Sequence, residues 1–365
     1  MFLALYRRFL AKRGSSSTKV INILAGASGL NILFGIGFYF AERTSQEGLT
    51  LLDSIWWAMV TMTTVGYGDL YPQTFIGRFI IAYPCFLLGI GLLGYLLATV
   101  TETMLERVSK RKKGTMNITH SNHIIICNCP SVEKTLLLVD ELQATTTYKD
   151  RKIVVISNSH EELPAPLQKR GLLFVKGFPT NEETLHQANI TKCAGVFILP
   201  EDPSDPSSDA QTYAIGSIIE LIEAETNIPI KTVVELVSAT NLRMMQRAKT
   251  DGIILADGIN QRMIVQEFIN PGIRKTFEQL ISNREGSQFY VHSTTLNDVP
   301  FIDIQIAAIQ HPVNMQLIGI IKQDQHILNP PKGTNVDSGD QLIILADKLE
   351  DFLSIEEDIK QKHSA

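Results

Sequence analysis

Two long stretches without a charged side chain constrain this chain more than any other feature of its sequence. Residues 20–40 and residues 79–101 contain no Asp, Glu, Lys or Arg. At a rise of about 1.5 Å per residue, each stretch is long enough to cross a hydrocarbon core roughly 30 Å thick. The first stretch does not end in a small-residue cleavage site, which argues against a signal peptide. The sequence therefore predicts a multi-pass protein of the lipid bilayer with two transmembrane helices.

The charge balance changes sign along the chain. Residues 1–113 contain twelve Lys or Arg against six Asp or Glu, whereas residues 114–365 contain twenty-one against thirty-two. Basic residues precede the first stretch and follow the second, so the positive-inside rule predicts that both termini are cytoplasmic. The acidic remainder lacks the basic face that nucleic acids need, which argues against such a partner. We expect a membrane part that carries a cytosolic part.

A short apolar segment lies between the two stretches. Residues 51–62 are too few to cross a membrane, and Asp53 or Ser54 is available to cap a helix start. The segment runs directly into the polar and glycine-containing residues 63–69. A half-helix that ends in non-helical backbone is tolerated at membrane depth only where it lines a water-filled path. We therefore predict a re-entrant helix.

The residues after this helix have the composition of an ion-binding backbone. Gly66 and Gly68 can adopt left-handed dihedrals because they have no Cβ atom. Their alternation with Val65 and Tyr67 can turn successive carbonyls to the same side of the chain. Four copies around an axis would stack rings of carbonyl oxygens, with the hydroxyl of Thr64 adding a ring below. Such rings replace the hydration shell of a monovalent cation.

Residues 64–68 are identical to the selectivity filter of potassium channels, and the segments on either side of them also match. The resemblance implies a homotetrameric, potassium-selective ion channel rather than an enzyme. It also implies an aromatic cuff in which Trp56 donates a hydrogen bond to Asp69. The residues implied to bind potassium ions or form the filter are Thr64, Val65, Gly66, Tyr67 and Gly68, and those implied to support it are Trp56, Trp57 and Asp69.

The second span carries candidate gating residues. Gly89 resembles the glycine hinge at which the inner helices of this family bend. Helical spacing places Leu97 and Thr101 on the same face as Gly89, and we hypothesise that these two residues close the inner pore by dewetting. Gly91 and Gly94 are interpreted as positions of close helix packing.

The cytosolic part alternates β-branched runs with helical patterns, which predicts a parallel sheet covered on both faces. The predicted strands are residues 123–127, 153–157, 173–176, 195–199, 231–236 and 252–255. This pattern is Rossmann-like, and residues 121–365 resemble the RCK domain that regulates potassium conductance. Residues 177–180, Gly-Phe-Pro-Thr, stand where that family commonly has Gly-Asp-Pro-Thr. The family implies eight such domains in an octameric ring.

These observations predict an all-α membrane pore domain followed by an α/β Rossmann-like domain with a smaller α+β C-terminal lobe. The expected boundaries are a pore domain at residues 1–108, a linker at 109–120, a Rossmann-like subdomain at 121–258, crossover helices at 259–288 and a C-terminal lobe at 289–365. A crossover helix is expected within residues 261–280. The expected location is the plasma (inner) membrane of a prokaryote.

Two gating ligands remain open. Calcium-gated prokaryotic RCK channels use carboxylates at positions that Asp251 matches and Glu285 approaches, although two carboxylates do not fill the six to eight sites of calcium. An adenine nucleotide would bind at the turn after the first strand, where Asn128, Pro130 and Ser131 replace a glycine-rich loop. A helix that starts near Ser131 could still hold an anion.

Two other functions are weaker alternatives. A regulatory component of a potassium uptake system would need four pore repeats in one chain, and this chain has one intact copy. A membrane-anchored NAD oxidoreductase would need a glycine-rich loop and a substrate pocket, neither of which the sequence indicates. The prediction is therefore a ligand-gated potassium channel.

Overall fold

The computed structural model describes residues 16–255, 258–284 and 286–363 and divides into two compact units, Met1–Arg111 and Lys112–Ala365. The first unit contains a long helix, Ser16–Glu42 (the first span), and a short one, Leu51–Met62 (the re-entrant helix). A third helix begins as a wide π-helical stretch, Ile76–Ala82, and continues as an α-helix, Tyr83–Lys112; together they form the second span. By length and composition, Thr18–Glu42 and Ile76–Lys112 can each cross a membrane.

The start of the re-entrant helix is fixed by a capping box. Thr50 is the N-cap, and its Oγ1 accepts a hydrogen bond from the backbone N of Asp53 at 3.2 Å. In return, Asp53 Oδ2 accepts from the backbone N of Thr50 at 3.1 Å. The expectation that Asp53 or Ser54 caps this helix is therefore wrong, because Asp53 occupies the third helical position, where an acidic side chain completes the reciprocal pair.

The second unit begins with a six-stranded parallel sheet whose order is β3-β2-β1-β4-β5-β6. The order reverses direction between β1 and β4, as in doubly wound nucleotide-binding folds. The strands are β1 His123–Cys127, β2 Ile153–Ser157, β3 Leu173–Lys176, β4 Cys193–Ile198, β5 Thr232–Leu236 and β6 Gly252–Leu255. Their α-helices are Val132–Ala144, Ala165–Lys169, Glu182–Gln187, Ser208–Thr226 and Leu242–Met245, and short 3₁₀ turns lie at Ile190–Lys192, Ala239–Asn241 and Gln246–Ala248.

Both faces of this sheet are covered. Successive side chains of a strand point to opposite faces. Ile125 of β1 belongs to a buried cluster with Ile215 of the helix Ser208–Thr226, whereas its neighbour Ile124 belongs to another cluster with Val139 of the helix Val132–Ala144. The predicted Rossmann-like architecture is thereby confirmed.

The crossover region, for which crossover helices over residues 259–288 and a helix within residues 261–280 are expected, contains two separate helices. Two helices, Ile259–Ile269 and Ile273–Ile281, are separated by residues 270–272. Pro271 lacks the N–H that would continue the helix, and Gly272 adopts a φ of 99°, which is left-handed. These two residues end one helix and allow the next to start in a new direction.

The C-terminal lobe is a four-stranded antiparallel sheet of order β10-β9-β12-β7, with a two-stranded sheet of β11 and β8. Phe301 and Phe352 are fully buried in its core. Its strands are β7 Gln288–Ser293, β8 Val299–Pro300, β9 Met315–Lys322, β10 Gln325–Leu328, β11 Asn335–Val336 and β12 Gln341–Ala346, and its helices are Phe301–Gln310 and Glu350–His363.

Glu356 fastens the last helix to the C-terminal lobe. Its buried carboxylate lies 2.8 Å from His292 Nε2 and accepts hydrogen bonds from Thr294 Oγ1 at 2.8 Å and from the backbone N of Thr295 at 2.7 Å. Burial alone would raise the pKa of Glu356, but these hydrogen bonds outweigh burial and lower that pKa to about 2.

Candidate functional site

The backbone after the re-entrant helix alternates between left-handed and ordinary conformations. Gly66 and Gly68 have φ angles of 57° and 77°, as expected, and Thr64 joins them with a φ of 62°. Val65 and Tyr67, between them, keep ordinary negative φ angles. Every second residue is therefore left-handed over five positions, and this is the alternation that brings successive carbonyls to one side. The left-handed conformation of Thr64 was missed, because sequence reasoning assigns it to glycine first.

The end of the re-entrant helix holds the first residues of this segment. The carbonyl oxygen of Val60 accepts hydrogen bonds from the backbone N of Val65 at 3.0 Å and of Gly66 at 3.4 Å. Thr63 Oγ1 donates to the carbonyl oxygen of Met59 at 2.8 Å. The last carbonyl oxygens of the re-entrant helix, which have no partner within the helix, thus accept hydrogen bonds from the residues that follow it.

Two aromatic neighbours, Trp56 and Trp57, have different surroundings. Trp56 Nε1 donates to Asp69 Oδ2 at 3.0 Å, the bond implied by the family resemblance, and its ring stacks on Tyr67 with 5.9 Å between ring centroids. Trp57 instead stacks on Phe38 of the first span, at 3.8 Å between centroids, and is buried there. Within one chain, Trp56 contacts the glycine-containing segment, whereas Trp57 fastens the re-entrant helix to the first span.

Sequence reasoning missed Glu42, which is fully buried at the end of the first span. Its carboxylate accepts hydrogen bonds from the backbone N atoms of Gln73 and Thr74, both at 3.0 Å. The available signal was the position of an acidic side chain at the end of an uncharged span. That signal does not identify the distant backbone groups that the carboxylate binds.

Three glycines of the second span have different environments within one chain. A Cβ atom on Gly89 would lie 2.6 Å from Met62 Cα and 2.7 Å from its carbonyl oxygen, so Gly89 is the point where the second span touches the end of the re-entrant helix. Gly91 and Gly94 have no atom within 4 Å of such a Cβ. In the single chain, close packing is therefore found at the proposed hinge and not at the two expected packing glycines.

The candidate gate residues share an exposed face of the second span. Leu97 is 60% exposed, and Thr101 Oγ1 donates to the carbonyl oxygen of Leu97 at 2.9 Å. An open depression of about 620 Å³ lies along the same helix, next to Leu97 and including Thr101. It is lined by Ala98, Thr101, Glu102, Leu105, Glu106 and Ser109.

Of the two calcium candidates, only Asp251 lies within the described residues. Asp251 Oδ2 accepts a hydrogen bond from the backbone N of Thr232 at 2.7 Å, which joins the segment before β6 to the start of β5. Glu285 lies outside the described residues. Among the residues that the structure describes, no three His, Cys, Asp or Glu side chains are grouped as metal ligands would be. Asp251 therefore has a structural partner, and among the described residues it belongs to no group of three such metal-ligating side chains.

The turn after β1 is held by hydrogen bonds to neighbouring elements and by a helix cap. Asn128 has a φ of 70°, and its Nδ2 donates to the carbonyl oxygen of Leu199 at 2.9 Å, across the point where the strand order reverses. Ser131 Oγ caps the following helix by accepting from the backbone N of Lys134 at 3.1 Å. The amine of Lys134 lies 2.5 Å from a carboxylate oxygen of Glu235. Together with Pro130, which has no N–H, these contacts do not fit a bound pyrophosphate.

Comparison with known protein families gives one match within each unit. A family described as ion channels matches residues 27–106, which include the re-entrant helix and the alternating segment. A family described as the RCK domain of calcium-activated, slowpoke-like potassium channels matches residues 119–232, which include β1 to β4.

Individual relatives agree with these matches. The chain is 26% identical over 303 residues to the calcium-gated potassium channel TvoK of Thermoplasma volcanium, covering 80% of this chain and 81% of that protein. It is 26% identical over 325 residues to the putative potassium channel protein YugO of Bacillus subtilis, covering 87% and 92%. The human SLO3 gating ring superposes with a TM-score of 0.50 at 14% identity, over 64% of this chain and 45% of that one, which shows a similar fold alone.

Proposed function

This chain belongs to the potassium channels that carry an RCK domain, and from that membership we propose that four copies of it form one potassium-selective pore. The alternating φ angles of Thr64, Gly66 and Gly68 carry this proposal. With four such segments around an axis, the carbonyls of residues 64–67 would form stacked oxygen rings that replace the hydration shell of potassium. Trp56 and Asp69 would brace the outer end of each segment through their hydrogen bond.

The exposure of these residues in one chain supports the need for further copies. Val65 is 54% exposed and Tyr67 is 68% exposed. A filter exposed in this way cannot exclude water or enclose an ion by itself. The homotetramer supplies the missing walls, and the uncharged surfaces of both spans then face either other copies or lipid.

Gating is proposed to act through the second span. Gly89 is the bending point, Leu97 and Thr101 close the inner mouth, and RCK domains arranged as an octameric ring supply the energy. A shift from 1:99 to 99:1 between closed and open pores requires a ligand preference of roughly 5.5 kcal/mol for the open state, which several domains can share.

We propose calcium as the gating ligand, because the relative TvoK is named for calcium gating. Asp251 would supply one carboxylate of the six to eight oxygen ligands that calcium takes. The alternative, an adenine nucleotide, is less favoured because Asn128 and Ser131 already bind the carbonyl oxygen of Leu199 and the backbone N of Lys134, and Pro130 has no N–H.

We propose five segments along the chain. The pore domain comprises residues 1–108, the linker 109–120, the Rossmann-like subdomain 121–258, the crossover helices 259–288 and the C-terminal lobe 289–365. Both termini lie in the cytoplasm of a prokaryotic cell, and the pore crosses its plasma membrane. The protein transports potassium passively and catalyses no reaction.

Ion flux from vesicles tests the proposed function. The purified full-length protein, reconstituted into lipid vesicles, is expected to release potassium in preference to sodium and to be blocked by barium ions. Empty vesicles provide the background. Equal potassium and sodium flux, or no flux over the background with and without calcium, would contradict the proposal.

A further inference from the structure

The second span leads into a segment that is bound to the Rossmann-like subdomain. The helix Tyr83–Lys112 is followed, after one residue, by Gly114, whose φ of 64° is the left-handed conformation that commonly ends a helix. Gly114 is buried, and a Cβ atom there would lie 2.5 Å from the backbone N of Lys176 and 2.7 Å from Phe174 Cδ1. The glycine that follows the helix therefore also packs on β3.

Residues 112–118, which we call the strap, are held by backbone hydrogen bonds. The carbonyl oxygen of Gly114 accepts from the backbone N of Lys176 at 3.0 Å, and that of Lys112 accepts from the backbone N of Leu163 at 3.1 Å. β3 is an outer strand of the six-stranded sheet, and an outer strand offers backbone groups that a passing segment can bind. The strap and the residues that bind it all belong to the second compact unit, which begins at Lys112.

Gln187 holds the second half of the strap. Its Nε2 donates to the carbonyl oxygens of Gly114 at 3.1 Å and Met116 at 3.3 Å, and its own carbonyl oxygen accepts from the backbone N of Ile118 at 2.8 Å. The side chain of Ile118 packs against the buried cluster that contains Ile125. One glutamine thus binds three positions of the strap, and an apolar contact fixes its end.

These contacts determine how the strap can transmit a movement. A flexible linker transmits force only when it is extended, and its reach grows with every residue added to it. A segment that is bound at Lys112, Gly114 and Ile118 instead moves together with the surface that holds it. Only the chain before the strap can then lengthen, and that part of the chain is helical.

We propose that the strap is the element that couples the RCK domain to the gate, because it fixes the end of the second span to β3 and to Gln187. This inference rests on the proposed function, in which RCK domains open the pore through the second span. A displacement of β3 and Gln187 moves the end of the helix directly. The residues between Ile118 and β1 take no part in this transfer.

The position at which the chain is lengthened tests the proposal. The tripeptide Gly-Ser-Gly inserted between Arg111 and Lys112 lies before the strap, whereas the same tripeptide between Ile118 and Thr119 lies after it. In single-channel recordings, the first insertion should reduce the rise of open probability between calcium-free and calcium-saturated solution about tenfold, because the added residues absorb the movement. The second insertion should leave that rise at the wild-type value. Equal effects of the two insertions, or a larger effect of the second, would overturn the proposal.

Two glycine variants test the contact with β3. Gly114→Ala places a methyl group against the backbone of Lys176. Gly171→Ala is the matched control, because Gly171 is also left-handed, with a φ of 75°, but has no other atom within 4 Å of a Cβ. Both substitutions strain a left-handed backbone, so the lost contact separates them. G114A should reduce the calcium response about tenfold, and G171A should keep it. Equal responses of the two variants would contradict the proposal.

Hydrogen exchange of the full-length protein tests the strap without ligand or current. The amides of Ile118 and Lys176 should exchange slowly in the wild type and in G171A, because each donates to a carbonyl oxygen, and at least about tenfold faster in G114A. Fast exchange of both amides in the wild type would overturn the proposal. A wild type that carries no potassium current, or a current that calcium does not change, would contradict the proposed function or its ligand, and the exchange rates would still decide whether the strap is bound.

Discussion

Single carboxylates connect distant segments in both units of this chain. Glu42 joins the first span to the loop after the glycine-containing segment, and Glu356 joins the last helix to the C-terminal sheet. Both side chains are buried, so the groups that donate to them have no ready alternative partner in water. Removing such an acceptor leaves its donors unsatisfied, which costs more than the loss of an exposed hydrogen bond.

The pKa of Glu356 predicts an acid-sensitive C-terminal lobe. Because this pKa falls from 4.5 to about 2 on folding, the carboxylate contributes its full stabilisation above pH 4.5 and loses it as the pH falls towards 2. Glu356→Gln should cost about 2 kcal/mol at neutral pH and flatten the decline of the melting temperature over that range. Thermal unfolding of the full-length protein in detergent checks both effects.

The neighbouring exposed residue provides the control for this experiment. Glu357→Gln should leave the neutral-pH stability and the acid-induced decline close to those of the wild type, since Glu357 is exposed. If E356Q loses stability with falling pH as steeply as the wild type, then the lowered pKa of Glu356 does not govern the acid response.

Elements whose residues determine their own conformation could be predicted from sequence. β1, β2, β3 and β6 begin and end where expected, because each is a run rich in branched apolar residues between polar or turn-forming ones. Pro271 and Gly272 are visible in the sequence as residues that end a helix, but the prediction of a crossover helix did not use them.

The missed features depend on contacts between segments far apart in the chain. Nothing local to Trp57 indicates that it stacks on Phe38 while its neighbour Trp56 binds Asp69. The partner of Glu42 is likewise set by packing of the first span beside the second. The backbone conformation of the glycine-containing segment was predictable, except at Thr64, because it is determined by the types and the order of the residues in the segment.

The apolar side chain of Leu97 on the second span leads to a prediction about how the pore closes. If Leu97 closes the pore by excluding water, Leu97→Asp should hydrate the constriction and give a pore that does not shut. Single-channel recordings are expected to show an open probability that no longer falls without ligand. Leu97→Met, which keeps an apolar side chain of similar volume, should still close. Normal closure of L97D channels would show that the gate lies elsewhere.

On the scale of the whole molecule, the proposed function depends on assembly. One chain exposes Val65 and Tyr67 and so provides only part of the walls of an ion path. Four chains would complete the filter but supply only four RCK domains, so an octameric ring needs four more from another source. The free energy of ligand binding that opens the pore would then be shared among the RCK domains. A small preference of the ligand for the open state in each domain would add up to a full shift of the gate.

The permeability ratio of potassium to sodium in Gly66→Ala channels decides whether the backbone of residues 64–68 selects the ion. Gly66 has a φ of 57°, which a residue with a Cβ adopts only with strain, so the carbonyl rings should lose their spacing. Gly48→Ala is the control, because Gly48 has a similarly left-handed φ of 86° outside the filter. We predict that G66A loses its preference for potassium, or its current, while G48A keeps both. A G66A channel that discriminates potassium from sodium as well as the wild type does would contradict this account.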